Sequence, residues 1–271
     1  MSAIAIKVMT PVVTMAALGL AFGCALALAL KIFAIKVDPT ILNILSLLPG
    51  VNCGACGSAG CAAFAEILAK GEAMPSACTV SDSEARKKIA RLLGIEDAGK
   101  VKTSAVVLCN GGQRALNKFE YQGIRTCKAA TLIFAGHKAC TFGCLGFGDC
   151  VEACPFGAIS MGPDGLPVVD EGKCTSCGKC VKACPKGLFV LLDTLCRYYV
   201  KCSSKDPGGI TAKACKAGCI GCMKCEKACP AGAIKVESNL ARIDPAKCQN
   251  LGKCFEACPT KVITRRGLPN A

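Results

Sequence analysis

Cysteines in short, regularly spaced groups recur from residue 53 to residue 258 of this chain. Several groups have the form C-x2-C and others end in C-x3-C-P, and 25 of the 271 residues are cysteine. Cysteines separated by two residues rarely bridge each other well, but their sulfurs converge easily on one metal centre. The pattern therefore favours metal centres over a disulfide scaffold. It also places this part of the chain in a reducing compartment, the cytosol.

An internal repeat organises the C-terminal half. Residues 139–159, ACTFGCLGFGDCVEACPFGAI, agree with residues 214–234, ACKAGCIGCMKCEKACPAGAI, at 12 of 21 positions. A second cysteine motif follows each segment, beginning at Cys174 and at Cys248. A repeat of this size indicates a duplicated module. Since each copy carries two motifs, each is predicted to be a bacterial ferredoxin-like unit that binds two [4Fe–4S] clusters.

The ligand rule of such units assigns most of these cysteines, because the first three cysteines of a motif bind one cluster and the fourth reaches across to the other. Two sets are complete: Cys154 with Cys174, Cys177 and Cys180, and Cys219, Cys222 and Cys225 with Cys258. Two sets have three cysteines: Cys144, Cys150 and Cys184, and Cys229, Cys248 and Cys254. In these two, Phe147 and Leu251 occupy the positions of the missing cysteines.

Spare cysteines upstream of each module could fill the two gaps. Cys140 or Cys109 could complete the first gapped set, and Cys215 or Cys202 the second. We expect Cys140 and Cys215 to be recruited. The leftover cysteines are then a candidate sixth site or spare thiols: Cys109, Cys127, Cys196 and Cys202. The alternative is that the gapped sites are three-ligand [3Fe–4S] centres or empty.

A separate cysteine unit precedes the repeat. Its spacing is C-x2-C-x4-C-x16-C, formed by Cys53, Cys56, Cys61 and Cys78. Glycines between the first three cysteines let the backbone wrap closely around a cluster. An amphipathic helix is predicted after Cys61, ending at Gly71, and a second helix begins near Ser81. Four thiolates would also suit a zinc ion, but the ferredoxin motifs downstream favour an iron–sulfur cluster at this site. The expected total is about five [4Fe–4S] clusters.

The N-terminal segment from Val8 to Leu30 contains no charged residue and is followed by Lys31 and Lys36. At 1.5 Å per residue it is long enough to cross a bilayer. The alternatives are a cleaved signal peptide, which would export the cysteines into an oxidising space, and a lipoprotein anchor at Cys24. We expect a single-pass anchor in the cell membrane with the cluster domains facing the cytoplasm. Cys24 is interpreted as an apolar filler.

These features predict an α+β chain of five parts. They are a transmembrane anchor (1–36), a small helical [4Fe–4S] domain (37–98), a connecting α/β segment (99–138), a first ferredoxin-like module (139–195), and a linker with a second module (196–271).

The formal net charge of +14 treats every cysteine as neutral. Each [4Fe–4S] cluster with four thiolates adds roughly −2, so five or six clusters would leave a nearly neutral protein. With only 5% aromatic residues as well, a nucleic-acid partner is not expected. Lysines around the modules suit either a docking face for an acidic partner or an ordinary solvated surface: Lys173, Lys179, Lys182, Lys186, Lys213, Lys216, Lys224 and Lys227.

The chain resembles the B subunit of the Rnf complex, the membrane-bound, ion-translocating ferredoxin:NAD oxidoreductase. The resemblance rests on the apolar N-terminal segment, on CGACGSAGCAAFAEILAKGE followed by a further cysteine, and on the ferredoxin motifs, and Leu251 departs from it. It implies that the chain accepts electrons from soluble ferredoxin. It also implies that the chain relays them to the membrane and NADH-binding subunits of a complex that moves Na⁺ or H⁺.

The chain is predicted to be part of an electron-transfer pathway rather than a complete enzyme. It has no G-x-G-x-x-G motif between a strand and a helix, no P-loop, and no charge inside its apolar segment. One alternative is a membrane-tethered polyferredoxin that serves a hydrogenase or resets a redox-sensing regulator. Another, from a different class, is a zinc-binding scaffold protein.

Overall fold

A computed structural model describes residues 3–32, 38–96, 99 and 102–266. Its helices, in chain order, are α1 Ala3–Ile32, α2 Pro39–Leu47, α3 Cys61–Ala69, α4 Ser83–Leu93, α5 Cys127–Thr131, α6 Asp149–Glu152, α7 Lys179–Ala183, α8 Gly208–Ala214, α9 Lys224–Lys227 and α10 Lys253–Ala257. Its strands are β1 Thr103–Val107, β2 Ile159–Met161, β3 Pro167–Val169, β4 Phe189–Asp193, β5 Tyr198–Val200, β6 Ile234–Glu237, β7 Leu240–Ile243 and β8 Ile263–Arg265. The mixed helix and strand content agrees with the expected α+β class.

Helix α1 is the one helix in the described part of the chain that is long and apolar enough to cross a membrane. The qualifying stretch, Pro11–Ile32, has a mean hydropathy of 2.2, and none of it is buried against the rest of the protein. A helix that is apolar on all sides and exposed is suited to lipid. Cys24 lies exposed on this helix, away from the other cysteines.

Helices α2, α3 and α4 pack into a small N-terminal domain around the buried side chains of Ile44, Phe64, Leu68 and Ile89. Both helices predicted after Cys61 are present. Helix α4 begins two residues after the predicted Ser81, because the Asp82 carboxylate caps it by accepting a hydrogen bond from the Ala85 N–H at 2.6 Å.

Four two-stranded antiparallel sheets build the rest: β1 with β4, β2 with β3, β5 with β8, and β6 with β7. The β2–β3 and β6–β7 pairs are hairpins inside the two modules. The other two sheets join the ends of longer stretches of chain, with Val107 opposite Phe189 and Val200 opposite Ile263. Strand β1, from the segment expected to connect two domains, thus pairs with the last strand of the first module.

Four short helices, α6, α7, α9 and α10, begin at the same point of the four ferredoxin motifs. The residue before each helix has a left-handed backbone, with φ between 58° and 88°: Gly148, Gly178, Met223 and Gly252. This turn brings the third cysteine of each motif into the first turn of the helix, where it is buried: Cys150, Cys180, Cys225 and Cys254. The buried cysteines pack with the strands in two cores, one for each module.

Candidate metal centres

The N-terminal cysteines converge on the loop between α2 and α3. Cys78 is buried, and its burial, with the charges of Cys56 and Cys53 close by, raises the pKa of its thiol. Cys61 is the first residue of α3, and its N–H donates to the Asn52 side-chain oxygen at 2.8 Å. Gly60 allows this contact, because a Cβ there would lie 2.8 Å from the same oxygen. The predicted set of Cys53, Cys56, Cys61 and Cys78 is therefore brought together.

The two complete ferredoxin sets are also brought together. In the first module, burial and the charges of Cys174 and Cys177 raise the pKa of Cys180 to about 11, and Cys154 packs on the same core. In the second module, the four predicted cysteines line one cavity: Cys219, Cys222, Cys225 and Cys258. Cys222 is the one cysteine of these two sets that is exposed.

At the first gap, Cys127 joins the three motif cysteines. One cavity is lined by Cys127, Cys144, Cys150 and Cys184. Burial and the charges of Cys127 and Cys184 raise the pKa of Cys150 to about 12. The ring of Phe147, at the position of the missing cysteine, contacts the rings of Tyr121 and His137, with centroids 5.5 and 5.4 Å away. His137 therefore belongs to an aromatic cluster with Tyr121 and Phe147.

At the second gap, Cys196 takes the corresponding place. Burial, followed by the charges of Cys248 and Cys229, raises the pKa of Cys254, so the three motif cysteines lie together. Cys248 in turn is close enough to Cys196 to raise its pKa, after burial and Asp193. The side chain of Leu251 is 57% exposed and lies outside this core.

A further set of four cysteines lies where the two modules meet, in a pocket that we call the central cavity. Its cysteines are Cys109, Cys140, Cys202 and Cys215. A Cβ on Gly111 would lie 3.4 Å from the Cys215 Sγ and 3.5 Å from the Cys109 Sγ, so glycine keeps the space beside both sulfurs open. Burial raises the pKa of Cys140, and the charges of Cys109 and Cys215 raise it further.

This arrangement corrects two predictions. Cys140 and Cys215 lie in the central cavity rather than beside the gapped sets. Cys109, Cys127, Cys196 and Cys202 are not brought together as one set, because Cys127 and Cys196 lie at the gaps. The reason for this arrangement lies in the tertiary structure. Strands β1 and β5 pair with the last strands of their modules, which brings Cys109 and Cys202, two residues beyond these strands, to the same place.

The central cavity contacts one site in each module through equivalent hydrogen bonds. The Cys144 N–H donates to the Cys109 Sγ at 3.4 Å, and the Cys219 N–H donates to the Cys202 Sγ at 3.3 Å. Cys144 and Cys219 are equivalent positions of the repeat. The duplication thus extends upstream of the segments that align in sequence, and includes a strand and a cysteine.

The chemistry of these sites fits iron–sulfur clusters better than single ions. Four thiolates around one zinc ion, at a Zn–S distance of about 2.3 Å, lie roughly 3.8 Å apart. Across the described ranges, no three His, Cys, Asp or Glu side chains are close enough to share one ion. Burial raises the pKa of several inner thiols, so thiolates there need a positive charge between them to stay ionised, which a metal ion or an iron–sulfur core would supply.

Comparisons with known proteins agree with this interpretation. The family described as "Putative Fe-S cluster" matches residues 48–80. The family described as "4Fe-4S dicluster domain" matches residues 139–188 and 218–262. The matches cover the N-terminal cysteine unit and both ferredoxin repeats.

Curated relatives match almost the whole chain. A protein of Methanosarcina acetivorans, named as the B subunit of an ion-translocating oxidoreductase complex, is 45% identical over 94% of this chain and 97% of its own length. The B subunit of a Na⁺-translocating ferredoxin:NAD⁺ oxidoreductase complex of Acetobacterium woodii is 42% identical over 95% of this chain and 78% of its own. The B subunit of a proton-translocating ferredoxin:NAD⁺ oxidoreductase complex of Clostridium ljungdahlii is 44% identical over 93% and 90%.

These names do not favour the polyferredoxin or zinc-scaffold alternatives. The relatives named for Na⁺ and for protons are about equally similar to this chain, at 42% and 44% identity, so overall similarity does not follow the coupling ion. Identity at this level over more than nine-tenths of the chain shows the family. The chain belongs to the B subunits of the Rnf complexes, the ion-translocating ferredoxin:NAD⁺ oxidoreductases, and is an electron-transferring subunit with 4Fe–4S domains.

Proposed function

We propose that this subunit accepts electrons from reduced ferredoxin and relays them through six [4Fe–4S] clusters, one in each set of four cysteines. The observation that carries the proposal is the central cavity, whose four cysteines come equally from the upstream parts of both modules. Without a centre there, the two modules would be two separate ferredoxins. With one, they form a continuous path.

The six proposed ligand sets use every cysteine except Cys24. They are Cys53, Cys56, Cys61 and Cys78; Cys154, Cys174, Cys177 and Cys180; Cys127, Cys144, Cys150 and Cys184; Cys109, Cys140, Cys202 and Cys215; Cys219, Cys222, Cys225 and Cys258; and Cys196, Cys229, Cys248 and Cys254.

The protein's own contribution is to bury the sulfurs and surround them with N–H donors. When bound, each cluster takes up and gives back one electron at a time. Backbone N–H groups face several of the ligand sulfurs, including Ala158 to Cys154 at 3.4 Å and Leu188 to Cys184 at 3.5 Å. Such donors stabilise negative charge on sulfur and so favour the reduced state.

The N-terminal domain lies at one end of this path. A cavity between it and the first module is lined by Ser81, which follows Cys78, by Arg86 on α4, and by Cys174 and Ser176. The Ala105 N–H donates to the Cys174 Sγ at 3.5 Å, joining β1 to the same site. We infer that the N-terminal centre exchanges electrons with the centre at Cys174.

We infer that the donor ferredoxin docks at Cys222, the exposed cysteine of the proposed ligand sets. Met223 beside it is 49% exposed, and Ile210 on α8 is 56% exposed. Lys213, Lys224 and Lys227 are exposed around them. A basic rim around apolar contacts fits an acidic redox protein. Lys186 differs from the expected docking residues, because its Nζ donates to the carbonyl oxygens of Ala135 and Thr141.

Helix α1 would anchor the protein in the cell membrane, next to the membrane and NADH-binding subunits of the complex. Lys31 lies in the last turn of α1, and the excess of lysine and arginine on the cluster side favours the cytoplasm for those domains. Ferredoxin is then on the same side of the membrane as the proposed docking surface.

The test of this function is anaerobic stopped-flow mixing of reduced ferredoxin with the detergent-solubilised protein. We expect the visible absorption to bleach at a rate that falls with ionic strength. The double substitution Lys224→Glu and Lys227→Glu should slow the reaction at least several-fold at low salt. The same change on exposed α4 lysines, Lys87→Glu and Lys88→Glu, is the matched control and should leave the rate nearly unchanged. Equal effects of both pairs would contradict docking at Cys222, and no reduction at all would contradict the proposed function.

A further inference from the structure

Two polar side chains join the gapped motifs to the segments that supply the missing cysteines. Asp149 directly precedes Cys150 in the motif that lacks its second cysteine at Phe147. Its Oδ1 accepts a hydrogen bond from the Cys127 N–H at 2.7 Å, and its Oδ2 accepts one from the Lys128 N–H at 3.0 Å. Both donors are in the first turn of α5, the helix that carries Cys127. Hydrogen bonds to a carboxylate are among the stronger ones in proteins.

Asn250 makes the corresponding contacts at the second gap. Its Oδ1 accepts from the Arg197 N–H at 2.9 Å, and its Nδ2 donates to the Leu195 carbonyl oxygen at 3.0 Å. The two bonds lie on either side of Cys196. Asn250 directly precedes Leu251, the residue at the position of the missing cysteine. Thus the motif loop that has Leu251 in place of a cysteine is hydrogen-bonded to the backbone on both sides of Cys196, the proposed replacement ligand.

The other motifs have different residues at these positions. Where the first gapped motif has Asp149, the other three have lysine: Lys179, Lys224 and Lys253. Lysine has no acceptor and could not bind the N–H groups of α5. At the position of Asn250, the first module has Ser176, whose hydroxyl bonds to Thr103 on β1. Among the four motifs, an aspartate therefore occurs at this position only in the motif that has Phe147 in place of a cysteine, where it binds the N–H of Cys127.

We propose that Asp149 and Asn250 are positioning residues that hold Cys127 and Cys196 at the two gapped centres. This inference rests on the ligand sets of the proposed function. The replacement cysteine at each gap is on a separate segment of chain, and these hydrogen bonds fix its sulfur against the motif. Residues that orient metal ligands in this way typically change metal affinity by about 10- to 100-fold when they are removed.

The experiment measures the loss of one iron from full-length protein treated with ferricyanide. The oxidant takes one electron from a [4Fe–4S]²⁺ cluster, which releases one Fe²⁺ and leaves [3Fe–4S]⁺. The [3Fe–4S]⁺ form is counted by low-temperature EPR and the released iron by a chelator. In Asp149→Ala we expect release of one iron per chain at least about tenfold faster than in the wild type. Asp149→Asn, which keeps one acceptor oxygen, should be intermediate.

Controls separate this role from ordinary helix capping. Asp38 caps α2 by accepting from the Thr40 N–H at 2.8 Å, in the N-terminal domain, so Asp38→Ala should not change iron release. For the second gap the test variant is Asn250→Gly, because Asn250 has a φ of 56° that glycine tolerates. Its control is Asn239→Gly, since Asn239 also has a left-handed backbone and bonds to the Lys205 carbonyl oxygen at 3.1 Å.

A double variant decides whether Asp149 acts through Cys127. Cys127→Ser should by itself change the EPR signal of one cluster or convert it to [3Fe–4S], and adding Asp149→Ala should change nothing more. If Cys127→Ser leaves iron content and EPR unchanged, the proposed ligand set is wrong. If Cys127→Ser has its effect but Asp149→Ala releases iron at the wild-type rate, the ligand set stands and the positioning role is wrong.

Discussion

The two ferredoxin modules are built from the same repeat, yet each lacks a different cysteine. The first lacks the second cysteine of its first motif, at Phe147, and the second lacks that of its second motif, at Leu251. Cys109 and Cys140 are separated by 30 residues, whereas their equivalents Cys202 and Cys215 are separated by 12. The longer segment includes α5 and supplies Cys127. The second module instead takes Cys196 from the segment before β5.

Under the proposed ligand sets, each gap receives its fourth sulfur from outside the motif, and the segment that supplies this sulfur differs between the two modules. In both modules the third and fourth cysteines of the motifs, the short helices and the hairpins are alike. The segment that bears the proposed replacement cysteine differs between the modules, and it is bound by Asp149 in one case and by Asn250 in the other. The central cavity, by contrast, is built in the same way by both copies.

The largest effect is expected from removing a ligand of the proposed central cluster, to which both modules contribute cysteines. Cys202→Ala should leave the central cluster incomplete or absent, with loss of about one to four irons per chain. It should also separate the redox centres of the two modules, so that ferredoxin reduces only part of the chain in the fast phase. Iron analysis and stopped-flow absorption measure both effects. Cys24→Ala, which changes an exposed cysteine of α1, is the control and should lose no iron.

Restoring a missing motif cysteine tests the comparison between the gaps directly. Cys196→Ala should lose about one iron and give a [3Fe–4S] EPR signal. Adding Leu251→Cys should restore the fourth iron, because the restored motif then has its own second cysteine. In the first module, Phe147→Cys should rescue Cys127→Ala in the same way. Failure of both rescues would mean that Cys127 and Cys196 do not substitute for the missing ligands.

A smaller effect is expected from narrowing the central cavity. In Gly111→Val the new Cβ would lie 3.2 Å from the Ala115 Cβ and close to two ligand sulfurs, with the valine methyl groups adding to the crowding. We expect incomplete occupancy of the central site, measured as a loss of up to four irons per chain. Gly209→Val, at a position with nothing within 4 Å of its Cβ, should retain full iron content.

The smallest effect is expected from a buried charge beside the central cavity. Lys201 lines this cavity and is 6% exposed, near Cys109. Its positive charge favours the reduced, more negative cluster, so Lys201→Met should lower one midpoint potential, by roughly 60 mV for a tenfold change in a one-electron equilibrium. Potentiometric EPR titration measures this shift. The other five potentials should move much less, and an upward shift would contradict the assignment.

Local spacing was enough to predict much of this molecule. The C-x2-C-x2-C-x3-C-P spacing predicted that Cys154 lies near Cys180 and Cys258 near Cys225, and the structure places them so. The spacing of the N-terminal unit likewise predicted that its cysteines lie together. The capping and apolar patterns around Cys61 and Ser81 predicted α3 and α4. These features depend on residues near one another in the chain, where helix periodicity and motif spacing carry the information.

The replacement ligands could not be predicted, because they depend on tertiary pairing. Strand β1 pairs with β4 across more than 80 residues, and this pairing places Cys109 in the central cavity with Cys202. Nothing in the spacing around Cys127 or Cys196 shows that Asp149 and Asn250 bind their segments. The sequence did carry one indication of a sixth set. When Cys24 is set aside, the remaining 24 cysteines divide into six sets of four.

Iron and acid-labile sulfide per chain, measured on anaerobically purified, full-length protein in detergent, tests the central claim most directly. Six clusters predict about 24 irons and an equal number of sulfides. A value of about 20, unchanged by Cys202→Ala, would mean that the central cavity holds no cluster. The two modules would then not form one continuous path, and the proposed electron relay would be contradicted at its centre.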